Sequence, residues 1–127
     1  MFEIYNNQNI ELFICKSYEK ENYLTFTVKI KLYNFYGEHS FCVAVDELRT
    51  FIQQLAILYE NNNMEAKLCD YDSESYISLT SNIDKTISLF GQLGSEWEDN
   101  LWRFKQDFDQ TIINLLIINL SKLIERD

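Results

Sequence analysis

The sequence predicts an α+β fold of about seven antiparallel strands in a meander, with two amphipathic helices packed on a sheet face. Three observations carry that expectation. Residues 23–33 alternate apolar and polar side chains, two other segments space apolar residues as a helix does, and the links between segments are short and polar.

In Tyr23–Tyr33, Leu24, Phe26, Val28, Ile30 and Leu32 share one face, while Thr25, Thr27, Lys29 and Lys31 share the other, as in a half-buried antiparallel strand. An earlier strand is expected from the parity of Ile10, Leu12 and Ile14, and a later one from Phe41, Val43 and Val45. Asn34-Phe35-Tyr36-Gly37 has turn character between them. From Asp46 the period changes. Leu48, Phe51, Ile52, Leu55, Leu58 and Tyr59 form a helical stripe, with Asp46 as the expected N-cap and Asn61-Asn62-Asn63 as the stop.

Four further strand-like segments follow, carried by Met64, Ala66 and Leu68; by Ile77 and Leu79; by Ile87, Leu89 and Leu93; and by Trp102, Phe104 and Phe108. The last segment, with Ile113, Leu116, Ile117, Leu120, Leu123 and Ile124, repeats the apolar offsets of the first helix. The repetition suggests two sheet-then-helix halves within one domain, residues 1–127. With 46% hydrophobic and 15% aromatic residues, three glycines and no proline, the chain has material for a core and no linker signal.

Eleven basic and twenty acidic residues give a formal charge of −9, which argues against nucleic acid, since phosphate binding requires clustered Lys and Arg. Residues 1–63 hold five bases and eight acids, residues 64–127 six and twelve, so the negative field is strongest in the second half. Apolar runs such as Leu115–Ile118 are far short of the ~18 residues of a membrane span. Met1-Phe2-Glu3-Ile4-Tyr5 shows no secretory pattern, so a cytoplasmic location is expected. Cys15, Cys42 and Cys69 are odd in number and widely spaced in strand-like segments, which predicts reduced, buried thiols.

No catalytic set emerges. His39, the only histidine, reads as a loop residue beside Gly37 and Glu38, and on a strand Cys42 would face away from it. Asp70-Tyr71-Asp72-Ser73-Glu74 begins like a calcium loop, but Ser75 stands where that loop needs Gly and Ser81 where it needs Glu, leaving a solvated acidic turn. Gly91-Gln92-Leu93-Gly94 reads as the end of a strand, not a phosphate cradle. Glu96, Glu98, Asp99, Asp107 and Asp109 could supply an acid and a base only if a pocket separated their pKa values. No cofactor or metal is expected. Trp97, amid acids, has the character of an interface anchor, whereas Trp102 shares the parity of Phe104 and points to the core.

Taken together, Asp70–Leu79, Ile87–Gly94 and Phe108-Asp109-Gln110-Thr111-Ile112-Ile113 resemble the WapI-type immunity proteins, a family found beside bacterial toxins. The resemblance implies a non-enzymatic antidote, acting inside the cell, that binds and neutralises a cognate toxin domain, often a nuclease. An acidic inhibitor suits a basic nuclease, because long-range attraction speeds their encounter. The expected contact residues are Asp70, Asp72 and Glu74 at one turn and Glu96, Trp97, Glu98 and Asp99 at another. Two other readings remain: a self-associating regulatory domain, forming a homo-oligomer through a sheet edge or Tyr-rich faces, and a small metal-dependent hydrolase.

Overall fold

The computed structural model describes residues 2–58, 60–61, 64–97 and 100–124. Among them, eight strands and two helices follow in the order β1 (Phe2–Asn6), β2 (Ile10–Lys20), β3 (Tyr23–Leu32), β4 (Phe35–Ala44), α1 (Val45–Leu58), β5 (Glu65–Cys69), β6 (Tyr76–Ser81), β7 (Ile87–Gly94), β8 (Leu101–Phe108) and α2 (Thr111–Ile124). The strands make two separate antiparallel sheets, β1-β2-β3-β4 and β5-β6-β7-β8. The architecture is therefore α+β, with each half a four-stranded meander ending in a helix.

The seven strands expected from sequence correspond to β2–β8, and β1 is an addition. Its register against β2 slips between Glu3 and Tyr5, so a bulge interrupts the apolar alternation that would have announced it. The turn expected at Asn34–Gly37 is tighter than that. Leu32 pairs with Phe35, Tyr33 takes a left-handed φ of 60°, and Phe35–Gly37 already belong to β4. His39 accordingly lies in a strand, opposite Val28, and not in a loop. The β2–β3 hairpin closes through Glu21 and Asn22, both at positive φ, the pairing of left-handed residues that suits strand twist.

Alternation places Leu12, Ile14, Leu24, Phe26, Val28, Ile30, Phe41 and Val43 on the inner face of the first sheet, and Ala66, Leu68, Ile77, Leu79, Ile87, Leu89 and Phe104 on that of the second. Both faces join a single hydrophobic cluster with Leu48, Phe51, Leu55 and Leu58 of α1 and Ile112, Ile113, Leu116, Leu120 and Leu123 of α2. The helices cross over. The helix that follows the first sheet packs on β5 of the second, the helix that follows the second packs on β1 of the first, and the two helices touch. Each half thus covers its apolar face with the other half's helix, which locks the halves together.

The helix starts differ from the expected pattern. The first turn of α1 already includes Asp46, whose exposed carboxylate turns to Arg49 at 3.4 Å, so Asp46 is not the N-cap. Val45 instead gives its amide hydrogen to the carbonyl of Asn22. At α2 the cap is Asp109, whose Oδ1 accepts the Thr111 amide at 2.7 Å. The Thr111 hydroxyl and amide together hold the Asp109 carboxyl below its ordinary pKa. Tyr59 and Asn62–Asn63 of the expected stripe and stop lie outside the described residues.

Candidate functional site

The two acidic turns named from sequence lie at the same end of the second sheet, where the β5–β6 and β7–β8 connections meet. The Glu74 amide donates to Ser95 Oγ at 2.9 Å, and the Glu96 amide donates to the Glu74 carboxylate at 2.8 Å. The hydroxyl of Ser75 accepts the Gly94 amide at 2.8 Å and faces Nδ1 of His39 at 3.3 Å. Gly94, at φ 99°, makes the turn in a conformation that side chains resist. These bonds hold Glu74 and Glu96 as neighbours on a built surface.

Strand β4 of the first sheet runs along this end. At Gly37 the backbone is packed so closely on Trp102 and Leu93 that a β-carbon would stand 2.5 Å from the Trp102 ring. At the far end of β4, Asp70 acts as a clasp. Its Oδ1 accepts the Cys42 amide at 2.8 Å and the Asp72 amide at 3.3 Å, its Oδ2 accepts the Ser73 hydroxyl at 2.5 Å, and the Tyr71 amide returns to the Cys42 carbonyl at 2.9 Å. Asp70 is buried, so the turn is not solvated throughout, and this carboxylate is committed to joining the two sheets.

Around the clasp the exposed residues are acidic and aromatic. Asp72, Glu74, Glu96 and Trp97 are all exposed, while Glu98 and Asp99 lie outside the described residues. Sequence reasoning missed Tyr71, the most exposed tyrosine among the described residues at 73%, whose ring meets that of Tyr23 edge-on at 6.0 Å. Tyr23 stands beside the Glu21–Asn22 turn, so a third turn, with Glu21, adjoins the same patch. A tyrosine next to a turn is a signal for such a site, but the separation of 48 positions between Tyr23 and Tyr71 hides their meeting. Exposed aromatics ringed by charge are the chemistry of a protein interface. Arg103 pairs with Glu96 at 3.2 Å, both side chains well exposed, so the charge is only partly balanced.

The remaining carboxylates are separated by their own tasks. Asp107 accepts the Ser88 hydroxyl at 2.6 Å, Asp109 caps α2, and Asp84 is lowered in pKa by the hydroxyl and amide of Thr86. No group of three or more metal-ligating side chains converges among the described residues. The thiols depart from expectation in burial. Cys15 and Cys42 are half-buried and Cys69 is exposed; all three are free. Trp102 is half-buried against Phe104, with ring centroids 5.2 Å apart.

The model of the immunity protein WapI-like family matches residues 1–126. The chain belongs to this family. The fold is also similar to that of a solved structure of Trypanosoma bruciei MRP1/MRP2, with a TM-score of 0.51 and 11% identity over 91% of this chain and 72% of that one. At such identity the likeness concerns the fold alone. No curated protein matches the chain. Membership of an immunity family supports a role in protection from a toxin through binding to it. Among the described residues, no helix is long and apolar enough to cross a membrane.

Proposed function

We propose that this protein is a cytoplasmic antidote of a bacterial cell, which binds a cognate toxin domain, a basic nuclease, and neutralises it without catalysis. The observation that carries the reading is the union, at one end of the second sheet, of the acidic turns of Glu74 and Glu96 with exposed Tyr71, Tyr23 and Trp97. The aromatics supply the contact area and the carboxylates the steering, on an acidic chain that would draw a basic partner from a distance. Family membership supplies the biological setting. Asp72, Glu74, Glu96 and Trp97 are the contact residues of this proposal, joined by Tyr71 and Tyr23; Asp70 supports the turn from beneath.

Co-expression with the toxin encoded beside this chain tests the idea. Growth is rescued by the intact protein, and the two proteins leave a gel-filtration column as one complex. Absence of rescue together with separate elution would end the proposal, and the elution volume of the free protein reports whether it self-associates.

A further inference from the structure

The outer face of the second sheet differs from its acidic end in carrying two rows of cationic and aromatic side chains, with Glu65 and Asp107 in the row beyond. Alternation turns Lys67 of β5, Tyr76 and Ser78 of β6, Phe90 and Gln92 of β7, and Arg103 and Lys105 of β8 away from the core. The register aligns Lys67, Ser78, Phe90 and Lys105 in one row across all four strands, with Tyr76, Gln92 and Arg103 in the next. Lys67 leans over the Tyr76 ring, its nitrogen 4.4 Å from the centroid, and Arg103 donates to Gln92 at 3.0 Å. Neither Lys67 nor Lys105 forms an ion pair among the described residues, whereas Lys29 and Lys31 on the outer face of the first sheet are both matched to glutamates. Ser78 Oγ is the one buried side-chain polar atom without a hydrogen-bond partner among the described residues, and it stands between Lys67 and Phe90.

We infer that this face is a second docking surface, separate from the acidic end, for a short acidic segment of a partner protein lying across the strands. Charge complementarity selects the occupant, and the spacing refines it. Three inter-strand steps of ~4.8 Å set the Lys67 and Lys105 backbones about 14 Å apart, and an extended peptide advances ~3.4 Å per residue, so acids four residues apart reach both lysines. The residue midway between those acids faces the Ser78–Phe90 part of the row, where an apolar side chain meets the half-buried Phe90 ring beside the fully buried Ser78. A polynucleotide suits the face less well. It would run beyond the cations onto Glu65 and Asp107 at one side and Glu96 at the other, and so few phosphate contacts release few counterions.

Fluorescence anisotropy of the full chain with labelled synthetic peptides tests the inference. The probe carries two glutamates four residues apart with leucine midway; its controls replace glutamate by lysine or place the glutamates side by side. The spaced peptide binds, the lysine peptide does not, and the adjacent-acid peptide binds several-fold more weakly. The double variants K67E/K105E and K67Q/K105Q, checked for an unchanged melting temperature, weaken the spaced peptide about tenfold or more. Should neither variant fold, the intact chain still decides: raising the salt must weaken the spaced peptide strongly. Failure of the spaced peptide to bind at about 1 mM, equal binding by the folded double variants, salt-independent binding, or binding of a thymidine oligonucleotide in its place would overturn the inference. None of these outcomes bears on toxin binding at the acidic end.

Discussion

Substituting Asp70 separates a structural carboxylate from a contact residue. In the folded protein this buried side chain accepts the Cys42 amide from β4 of the first sheet and the Ser73 hydroxyl within its own turn, with a longer bond from Asp72. Hydrogen bonds to a charged group contribute roughly 1.5–3 kcal/mol each, net of exchange with water, and because Cys42 and Ser73 are half-buried, water can reach their freed donors in a variant and lower the cost. Asp70→Ala should therefore cost about 2–4 kcal/mol, and Asp70→Asn, which keeps one acceptor for Cys42, about 1 kcal/mol. For a chain of this size that corresponds to a melting point lower by roughly 10 °C in the alanine variant. Urea titration followed by tryptophan fluorescence reads the change as a shifted midpoint at unchanged slope. An alanine variant within about 0.5 kcal/mol of the parent would refute the clasp. If that variant also lost toxin binding, Asp70 would be a contact residue after all.

Other consequences follow from the same geometry. Gly37→Ala forces a β-carbon into the Trp102 ring, and the expected cost is about 1–3 kcal/mol with altered Trp102 emission; an unchanged midpoint would mean that β4 moves aside freely. Phe51→Ala removes a fully buried ring from α1 and should cost about 3–5 kcal/mol. Because α1 lies on the second sheet, the loss should lower a single unfolding transition seen by Trp97 and Trp102; two transitions would show that the halves melt independently. Asp109→Ala loses the α2 cap. The folded carboxyl has a depressed pKa, so its contribution is full above the ordinary carboxylate range and disappears as the pH falls through the lowered value. The melting temperatures of parent and variant should thus differ at neutral pH and converge well below about pH 4; a gap that persists at low pH would contradict the cap.

Much of the fold was legible because periodicity is local. Leu24 to Leu32 and the two helical stripes declare their inner faces within single segments; Leu24 to Leu32 is buried at alternate positions, and Leu48, Phe51, Leu55, Leu58, Ile113, Leu116, Leu120 and Leu123 of the stripes are buried, with Ile52, Ile117 and Ile124 half-buried at their margins. The missed strand β1 has its alternation broken by the bulge between Glu3 and Tyr5. The early turn at Tyr33 uses no glycine or proline to mark it, so the sequence signal sat at Gly37, whose true constraint is Trp102. The site was legible as composition but not as arrangement. Asp70 and Asp72 look alike in the sequence, yet one is buried against Cys42, 28 residues away, and the other faces solvent. The same holds for Tyr71, which meets Tyr23 only because β4 brings the sheets together. Whether a turn carboxylate is buried or exposed is decided by such long-range contacts, and no local pattern carries them.

The most direct test of the central claim is the affinity of the purified protein for the neighbouring toxin domain, measured as salt is raised and after substitution of the acidic end. Tight binding by the intact chain is predicted, with association slowed by salt. A Glu74→Gln/Glu96→Gln variant should associate more slowly, and Tyr71→Ala/Trp97→Ala should dissociate faster, weakening binding by about 2 kcal/mol or more. Binding that is unaffected by all four substitutions and by salt would place the toxin elsewhere on the molecule, and no binding at all would contradict the antidote role itself.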